Sequence, residues 1–177
     1  MQTLSSRSFD SQIVIDLGRL APFRPCLLPQ DPDAIETLVT RACVFNANEI
    51  AMARELAQEA LMRGVEPGYL FLLADGADGL DGYTCYGPIP GTERRFELYW
   101  IAVEARARRR GLARGLLVAT EKAARKLGAT HLFAETSMRA DYKPAHALYA
   151  SLGYTLHGVV PDYHADADGL GIFGKKL

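Results

Sequence analysis

The sequence predicts an α/β (α+β) fold in which strands and helices follow one another in the order β-α-α-β-β-β-α-β-α-β-β. Residues 98–103 form an apolar run that is too short for a typical helix and is typical of a strand covered on both faces. From Leu112 the apolar residues recur with the period of an α-helix, and Gly128 stands where a left-handed C-terminal cap is expected. This strand, the turn after it and this helix organise the rest of the chain.

Length and composition are those of one ordinary soluble domain. The chain has 177 residues, 49% of them hydrophobic and 23% charged, which is enough for a real hydrophobic core. No apolar run approaches the roughly 20 residues that a membrane span needs, and the N-terminus lacks the apolar core of a secretory signal. We expect an N-terminal extension at 1–22, in which 13–15 could form a short strand, and a single domain at 23–177.

Cysteines and histidines predict neither a disulfide framework nor a metal site. Three cysteines are an odd count without metal-like spacing, which is typical of a protein of the reducing cytoplasm. The four histidines also lack the spacing of metal ligands. These residues are Cys26, Cys43, Cys85, His131, His146, His157 and His164.

Charge is distributed unevenly along a nearly neutral chain. The net charge is −1, yet residues 104–126 hold eight basic and only two acidic residues. A local basic patch on an otherwise acidic protein fits a small polyanionic ligand better than a long nucleic acid.

The N-terminal half reads as an edge strand, two helices and a hairpin, each with its own boundary signal. Pro25 interrupts the strand, Asp31 and Pro32 serve as N-cap and first residue of a helix, and a capping box opens the next one. The predicted elements are a strand at 23–28, helices from 31 and from 46 to Gly64, strands at 68–74 and 82–86, and a stiff loop at 87–91.

The C-terminal half continues with a strand, a helix and two more strands. Pro144 opens the helix and Gly153 caps it. The predicted elements are a strand at 130–135, a polar connection at 138–143, a helix at 144–153, and strands at 154–160 and 171–177 joined by a loop at 161–169.

The turn at 108–115, R-R-R-G-L-A-R-G, predicts an anion site. A helix that begins there offers several backbone N–H groups without intrahelical partners, and the positive end of the helix dipole adds to them. Gly111 has no Cβ and lets a ligand approach the backbone closely. A phosphate or pyrophosphate suits such a site. The alternative is a basic, solvated helix start, because short glycine motifs give many false positives.

Two motifs in this region carry a family resemblance. R-x-x-G-x-A, here Arg108, Gly111 and Ala113, is similar to the pyrophosphate-binding motif of the GNAT (GCN5-related) N-acetyltransferase superfamily, which follows the fourth strand and opens the third main helix. The segment P-A-H-A-L-Y-A-S-L-G-Y is similar to the family's A-x-x-L-Y-x-x-x-G-F/Y. Its matching residues are Ala145, Leu148, Tyr149, Gly153 and Tyr154.

The resemblance extends over 23–177 and implies the GNAT acyl-CoA N-acyltransferase fold, a mixed central β-sheet with helices on both faces. It implies acetyl-CoA as cofactor and transfer of the acetyl group to an amine. The pantetheine arm of coenzyme A would lie along the strand that ends at Val103, and backbone amides and arginines of the turn would hold its phosphates. The implied cofactor-binding residues are Ile101, Ala102, Val103, Arg108, Arg109, Arg110, Gly111, Leu112, Ala113, Arg114 and Gly115.

Glu97 is the candidate general base. In several members of the family a glutamate at this relative position deprotonates the amine, directly or through water. The period of a strand places Glu97 on the face of Tyr99, Ile101 and Val103, and an apolar setting could raise its proton affinity enough for the task. The alternative is a solvated residue at the end of a strand.

The resemblance makes Tyr149 the candidate acid, because a phenol stays protonated at neutral pH and can donate to a departing thiolate. Its alternative is a core aromatic residue. Glu135 and His164 are weaker candidates for the base, because polar residues at strand ends and in loops are more often structural or surface residues. Many members carry asparagine seven residues before the tyrosine, where this chain has Tyr142; the contribution of that position is therefore open.

We predict an acetyl-CoA-dependent N-acetyltransferase in which a primary amine attacks directly in a ternary complex, since no motif places a histidine beside a cysteine. The alternative is a non-catalytic regulatory protein that binds acyl-CoA, and a nucleic-acid-binding module is a third, disfavoured by charge. The acceptor is a small-molecule or protein amine. No nucleic acid or membrane partner is predicted, and a homodimer is one of the open oligomeric states.

Overall fold

Six strands form one mixed sheet in the computed structural model, which describes residues 22–177. In chain order they are β1 Leu70–Gly76, β2 Gly79–Pro88, β3 Arg95–Val103, β4 His131–Ser137, β5 Thr155–Ala165 and β6 Asp168–Lys176. The spatial order is β1-β2-β3-β4-β6-β5, and only β3 and β4 are parallel neighbours. The predictions for residues 1–21, with the short strand at 13–15, lie outside the described residues.

Helices cover both faces of this sheet, as predicted. The α-helices of residues 22–177 are α1 Asp31–Ala42, α2 Ala47–Arg63, α3 Leu112–Lys126 and α4 Lys143–Ser151. On one face Ile35 and Ala57 pack from α1 and α2 against the strands, and on the other face Leu116 and Tyr149 pack from α3 and α4. No helix within the described range is long and apolar enough to cross a membrane.

The predicted first strand is reduced to a single bridge. Arg24 exchanges two backbone hydrogen bonds of 2.8 Å with Leu73 of β1, and no further residue of 23–28 pairs with the sheet. Pro25, which has no N–H to donate, follows at once. The Arg24 guanidinium instead binds the carboxylates of Asp31 and Asp75 at 2.7 and 2.8 Å.

The start of α1 also differs from the prediction. Gln30 occupies the N-cap position and Asp31 is the first residue of the helix. The Asp31 carboxylate accepts the Leu28 N–H at 2.6 Å and pairs with Arg24, so it ties the preceding segment to the helix. The capping box that opens α2 is confirmed: the backbone N–H groups of Asn46 and Glu49 each donate to the other's side chain.

The last two strands are longer than predicted. The loop expected at 161–169 is almost entirely strand, and only two residues separate β5 from β6. A shift of register between Val160 and Ala165 accommodates Pro161 and Asp162, and Asp162 has a left-handed φ of 51°. The predicted break at Pro161 is therefore a bulge on an edge strand, a position that tolerates proline.

A bulge in β3 changes which residues share a face. The register with β2 passes from Cys85↔Trp100 to Tyr86↔Leu98, so Tyr99 is an extra residue. Ile101 and Val103 therefore pack with the α3 face, whereas Tyr99 packs on the opposite face. The prediction that Glu97 shares a face with Ile101 and Val103 is wrong, because an inserted residue reverses the alternation.

Strands β3 and β4 pair over only four residues and then separate. Their register runs from Arg95↔His131 to Leu98↔Ala134, although β3 continues to Val103 and β4 to Ser137. The backbone of β3 beyond Leu98 thus faces a gap in the sheet. This gap opens toward the start of α3.

Candidate active site

The turn after β3 is shaped by one acidic side chain and two left-handed residues. The Glu104 carboxylate accepts the Ala105 N–H at 3.0 Å and opens a short turn at Ala105–Ala107. Arg109 and Gly111 then have φ values of 59° and 80°, which turn the chain into α3. A Cβ at Gly111 would meet no atom within 4 Å, so a ligand has free access to the backbone there.

The N-terminus of α3 presents three unpaired amides. The hydrogen bond from the Gly115 N–H to the Gly111 carbonyl, 2.9 Å long, is the first of the helix. The N–H groups of Leu112, Ala113 and Arg114 precede it, and no side chain caps the helix. Among the described residues they have no hydrogen-bond acceptor, and they lie at the positive end of the helix dipole. This geometry suits a phosphate or pyrophosphate.

Two of the predicted cofactor-binding residues, Arg110 and Gly115, have surroundings that differ from those of the others, and their role stays a prediction. The Gly115 N–H is already used within the helix, and a Cβ at Gly115 would lie 3.2 Å from Cζ of Phe23. A glycine at position 115 therefore makes room for the Phe23 ring. Arg110 lines a separate cavity of about 570 Å³ beside Phe23, on the other side of the turn.

A cleft of about 870 Å³ joins the α3 N-terminus to the gap between β3 and β4. Its walls come from six parts of the fold: β3, the turn with the first residues of α3, the end of β4, α4 with the segment before it, the connection between α1 and α2 with the adjoining helix ends, and His164 of β5. The cofactor-binding residues predicted from the sequence that line it are Ile101, Ala102, Val103, Arg108, Arg109, Gly111, Leu112, Ala113 and Arg114.

The backbone of β3 offers hydrogen-bonding groups to this cleft. The Glu104 N–H donates to the Asp81 carbonyl of β2 at 2.9 Å. Alternation along the strand then turns the backbone groups of Ile101 and Val103 away from β2 and toward the gap. The Val103 carbonyl accepts Nε of Arg108 at 3.1 Å. The Val103 N–H and both groups of Ile101 remain available to an extended ligand.

The arginines of residues 106–114 differ in what they contact. Arg108 donates to the carbonyls of Val103 and Ala42, at 3.1 and 3.4 Å, so two of its five N–H groups bind the protein. Arg106 pairs with Asp78 and Asp81 outside the cleft. Arg109 and Arg114 line the cleft beside the free amides, where guanidinium groups can bind phosphate oxygens.

Glu97 is half-buried and does not itself line the cleft. Leu98, Tyr99 and Glu135 line the cleft around it. Burial, and secondarily the negative charge of Glu135, raises the pKa of Glu97 to about 7. Its carboxyl group has no hydrogen-bond or ionic partner among the described residues. An unpaired carboxyl group with this pKa can exchange protons near neutral pH, and a water molecule would connect it to the cleft.

Tyr149 lines the cleft from α4 and is only 4% exposed. Its ring packs against Tyr154 and Phe173, with centroid distances of 5.6 and 5.3 Å. Burial, and secondarily the phenol of Tyr142, raises the pKa of Tyr149 well above its usual value. The phenol therefore stays protonated and can act only as a donor.

One part of the cleft lining is acidic and aromatic, which sequence patterns did not indicate, and we call it the aromatic end. Glu49, Glu135 and Asp141 contribute carboxyl groups to the lining. The rings of Phe45 and Trp100 lie 5.3 Å apart, and Tyr142 packs edge-on against Phe45 at 6.4 Å. Trp100, the single tryptophan, was the only available signal, since Phe45 and Trp100 are far apart in the chain.

Of the other residues considered from the sequence, His164 and Tyr142 line the cleft and the cysteines do not. His164 lines the cleft, but from β5 rather than from a loop. Tyr142, at the position where the family often has asparagine, forms part of the aromatic end. None of the three cysteines lines the cleft, and all are free thiols. No group of three or more potential metal ligands occurs within residues 22–177.

Comparison with known proteins decides the family. The family model described as "Acetyltransferase (GNAT) family" matches residues 33–154, more than half of the chain. This chain belongs to the GNAT acetyltransferase family. The resemblance seen in the two sequence motifs, and the GNAT fold that it implied, are thereby confirmed. No curated protein matched the sequence at the significance applied.

Solved structures agree with the GNAT assignment. A GNAT-family protein from Desulfovibrio desulfuricans is 36% identical, with 87% of this chain and 97% of that chain covered and a TM-score of 0.84. The ribosomal-protein-S18-alanine N-acetyltransferase of Escherichia coli is 23% identical, with 85% and 90% covered and a TM-score of 0.66. The yncA protein of Salmonella typhimurium, described with its cofactor acetyl-CoA, is 18% identical, with 88% and 94% covered and a TM-score of 0.64.

Membership in the GNAT family makes the protein an acetyltransferase and confirms acetyl-CoA as its cofactor. The cleft fits this cofactor on its own geometry. Three free backbone amides lie at the N-terminus of α3, and Gly111 beside them has no side chain. Backbone groups of β3 that pair with no strand face the same cleft. The roles of the individual residues stay predictions.

Proposed function

We propose that this GNAT protein transfers the acetyl group of acetyl-CoA to a primary amine that attacks directly in a ternary complex. The observation that carries the proposal is a single cleft. It is lined by Leu112, Ala113 and Arg114, which carry the free amides, and by Tyr149. Glu97 lies on β3 directly before Leu98 and Tyr99, which also line the cleft. An anion site and a proton donor in one cleft, with a proton acceptor next to it, are the parts that acyl transfer to an amine requires.

The chain's backbone would do most of the binding. The amides of α3 would donate to phosphate oxygens, with Arg109 and Arg114 at their side. The N–H of Val103 and the backbone of Ile101 would pair with an extended arm as a neighbouring strand does. Acetyl-CoA, when bound, supplies the acetyl group as a thioester whose sulfur leaves as a thiolate.

Glu97 would remove the proton that the amine must lose. The amine nitrogen forms the new bond to the acetyl carbon, the carbon–sulfur bond breaks, and the proton from nitrogen passes through water to the Glu97 carboxylate. A pKa of about 7 suits this role, because half of the groups are ready to accept a proton at neutral pH. Glu135 and His164 line the cleft and are the competing candidates.

Tyr149 would donate its phenolic proton to the departing thiolate and then regain a proton from solvent. We expect Tyr149→Phe to lower kcat about a hundredfold, at the lower end of the roughly 10²–10⁴-fold that general-acid assistance contributes. The dissociation constant for coenzyme A should stay within about twofold, since the phenol lies away from the anion site. An assay of thiol release would measure kcat, and calorimetric titration would measure the dissociation constant for coenzyme A. A kcat equal to that of the wild type would remove Tyr149 from the mechanism.

The acceptor would carry more than one positive charge or an aromatic group beside its amine. Glu49, Glu135 and Asp141 give its end of the cleft a negative potential, and the rings of Phe45 and Trp100 form an apolar wall. An acidic, aromatic surface attracts ammonium groups through both charge and ring quadrupole. Small-molecule amines and protein amines both satisfy this description.

The proposal also includes the cellular location and the oligomeric state of the protein. Free thiols at all three cysteines fit a reducing cytoplasm. A homodimer would cover the apolar side chains of the edge strand β5, where Leu156, Val159 and Val160 are more than 40% exposed.

A screen of primary amines with acetyl-CoA, followed by detection of free thiol, tests the function. We expect amine-dependent thiol release from the wild type. Tight binding of acetyl-CoA without release for any amine would favour the alternative, a non-catalytic regulatory protein. Trapping of an acetylated enzyme in the absence of an amine would contradict direct attack.

A further inference from the structure

The connection between α1 and α2, residues 43–46, forms one wall of the acceptor end. Val44 and Phe45 line the cleft, and the Phe45 ring packs against Trp100 and edge-on against Tyr142. The connection is short and contains a left-handed residue, Cys43, with φ 57°. We call residues 43–46 the acceptor wall. Its position decides how much space lies over Trp100.

Two arginines from other parts of the chain bind backbone carbonyls, one in this wall and one in the residue just before it. Arg108, which follows β3, donates to the Ala42 carbonyl at 3.4 Å. Arg139, which follows β4, donates to the Val44 carbonyl at 3.2 Å, and its guanidinium carbon lies 5.5 Å from the centre of the Tyr142 ring. The wall therefore bridges the two strands that separate to form the cleft.

Arg139 is in turn positioned by a buried carboxylate. Asp168, at the start of β6, is 6% exposed and lies with Oδ2 3.7 Å from Nε of Arg139. Its Oδ1 accepts the Ser137 hydroxyl at 2.5 Å, and the same hydroxyl oxygen accepts the Arg139 backbone N–H at 3.1 Å. A buried carboxylate is costly unless charges and donors surround it, so Asp168 specifies the place of Arg139.

We propose that Asp168 is a positioning residue for the acceptor: acting through Arg139, it sets the acceptor wall against Trp100 without touching acceptor or cofactor. Neither Asp168 nor Arg139 lines the cleft. The affinity for the acceptor therefore depends on the pair, whereas cofactor binding does not. This consequence for the acceptor rests on the proposed function, but the position of the wall can be measured without it.

Trp100 reports the position of the wall because it is the only tryptophan of the chain. Phe45 covers one side of its ring. In Asp168→Asn and Arg139→Met we expect acrylamide to quench tryptophan emission about twofold more effectively than in the wild type. Arg139→Lys, which keeps a donor and the charge, should be closer to the wild type. The dissociation constant for coenzyme A should change less than twofold in all three.

Arg106→Met is the matched control. Arg106 is as exposed as Arg139, 40% against 42%, and it also pairs with aspartates, but it does not contact the acceptor wall. We expect unchanged quenching in this variant. Unchanged quenching in Arg139→Met would overturn the proposal, even if Asp168→Asn destabilised the fold. A change in Asp168→Asn without one in Arg139→Met would also overturn it, because the effect would not pass through Arg139.

The catalytic consequence uses the best amine from the thiol-release screen. We expect the KM for that amine to rise about tenfold in Arg139→Met while kcat changes less than threefold. An unchanged KM would refute the role in acceptor binding and leave the proposed function intact. If no amine is turned over by the wild type, the proposed function fails, and the quenching experiment still decides whether Asp168 positions the wall.

Discussion

Ala113→Asp is expected to weaken coenzyme A binding at least a hundredfold while the protein remains as stable as the wild type or becomes more stable. Ala113 is the second residue of α3 and lines the cleft. A carboxylate there would accept the free amides of the first turn and interact favourably with the helix dipole. It would also repel a diphosphate. A hundredfold loss corresponds to about 2.8 kcal/mol.

Calorimetric titration measures the affinity of the variant for coenzyme A, and thermal unfolding measures its stability. Ala113→Asn, which is similar in size but uncharged, should lose less than tenfold in affinity. Lys122→Asp places a carboxylate on the same helix, at a residue that lines the cavity of about 570 Å³ beside Phe23. Its affinity for coenzyme A should fall less than threefold. A folded Ala113→Asp protein that binds coenzyme A within threefold of the wild type would show that the phosphates bind elsewhere.

Glu97→Gln is expected to lower kcat about a hundredfold, since a general base contributes roughly 10²–10⁴. Glu97 acts in its deprotonated form, so the wild-type rate should rise with pH through about 7 and be lost as pH falls below it. The variant should lack this inflection and bind coenzyme A normally. A pH–rate profile for the best amine acceptor makes the measurement.

Glu135→Gln separates the two carboxyl groups. Loss of the Glu135 charge should lower the pKa of Glu97, because that charge is one of the causes of its elevation. The inflection should then move to lower pH while kcat at high pH changes only a few-fold. If Glu135→Gln abolishes the inflection and Glu97→Gln does not, Glu135 is the base.

Stability provides a check on Glu97→Gln. The pKa of Glu97 is higher in the folded than in the unfolded protein, so folding takes up a proton and the wild type loses stability as pH rises from about 4.5 to 7. Glutamine removes this penalty. The variant should therefore unfold at the same or a higher temperature than the wild type at pH 8, which distinguishes lost catalysis from misfolding.

The order of elements and the anion site could be predicted because they depend on local signals. The change of apolar period at Leu112 and the glycine at 111 act over a few residues, and the structure places free amides where those signals indicated. The bulge at Tyr99 could not be predicted, since an inserted residue in an apolar strand leaves no mark in the pattern. That single residue reversed the faces assigned to Ile101 and Val103.

The acceptor end depended on contacts between distant residues. Phe45 meets Trp100 across 55 positions of the chain, and Asp168 reaches Arg139 from the following hairpin. The sequence showed Asp168 only as one acidic residue in a polar segment, and the strand β5 was expected to end before it reached His164. The pairing of β5 with β6 places His164 at the cleft and Asp168 beside Arg139.

The central claim is that the amides of the α3 N-terminus bind the diphosphate of the cofactor. A titration of ¹⁵N-labelled protein with coenzyme A, followed by amide chemical shifts, observes these groups directly. The account predicts that the Leu112, Ala113 and Arg114 amide protons move downfield together and that the Gly115 amide, already bonded to Gly111, moves little. Saturation of binding with unchanged Leu112, Ala113 and Arg114 resonances would contradict it.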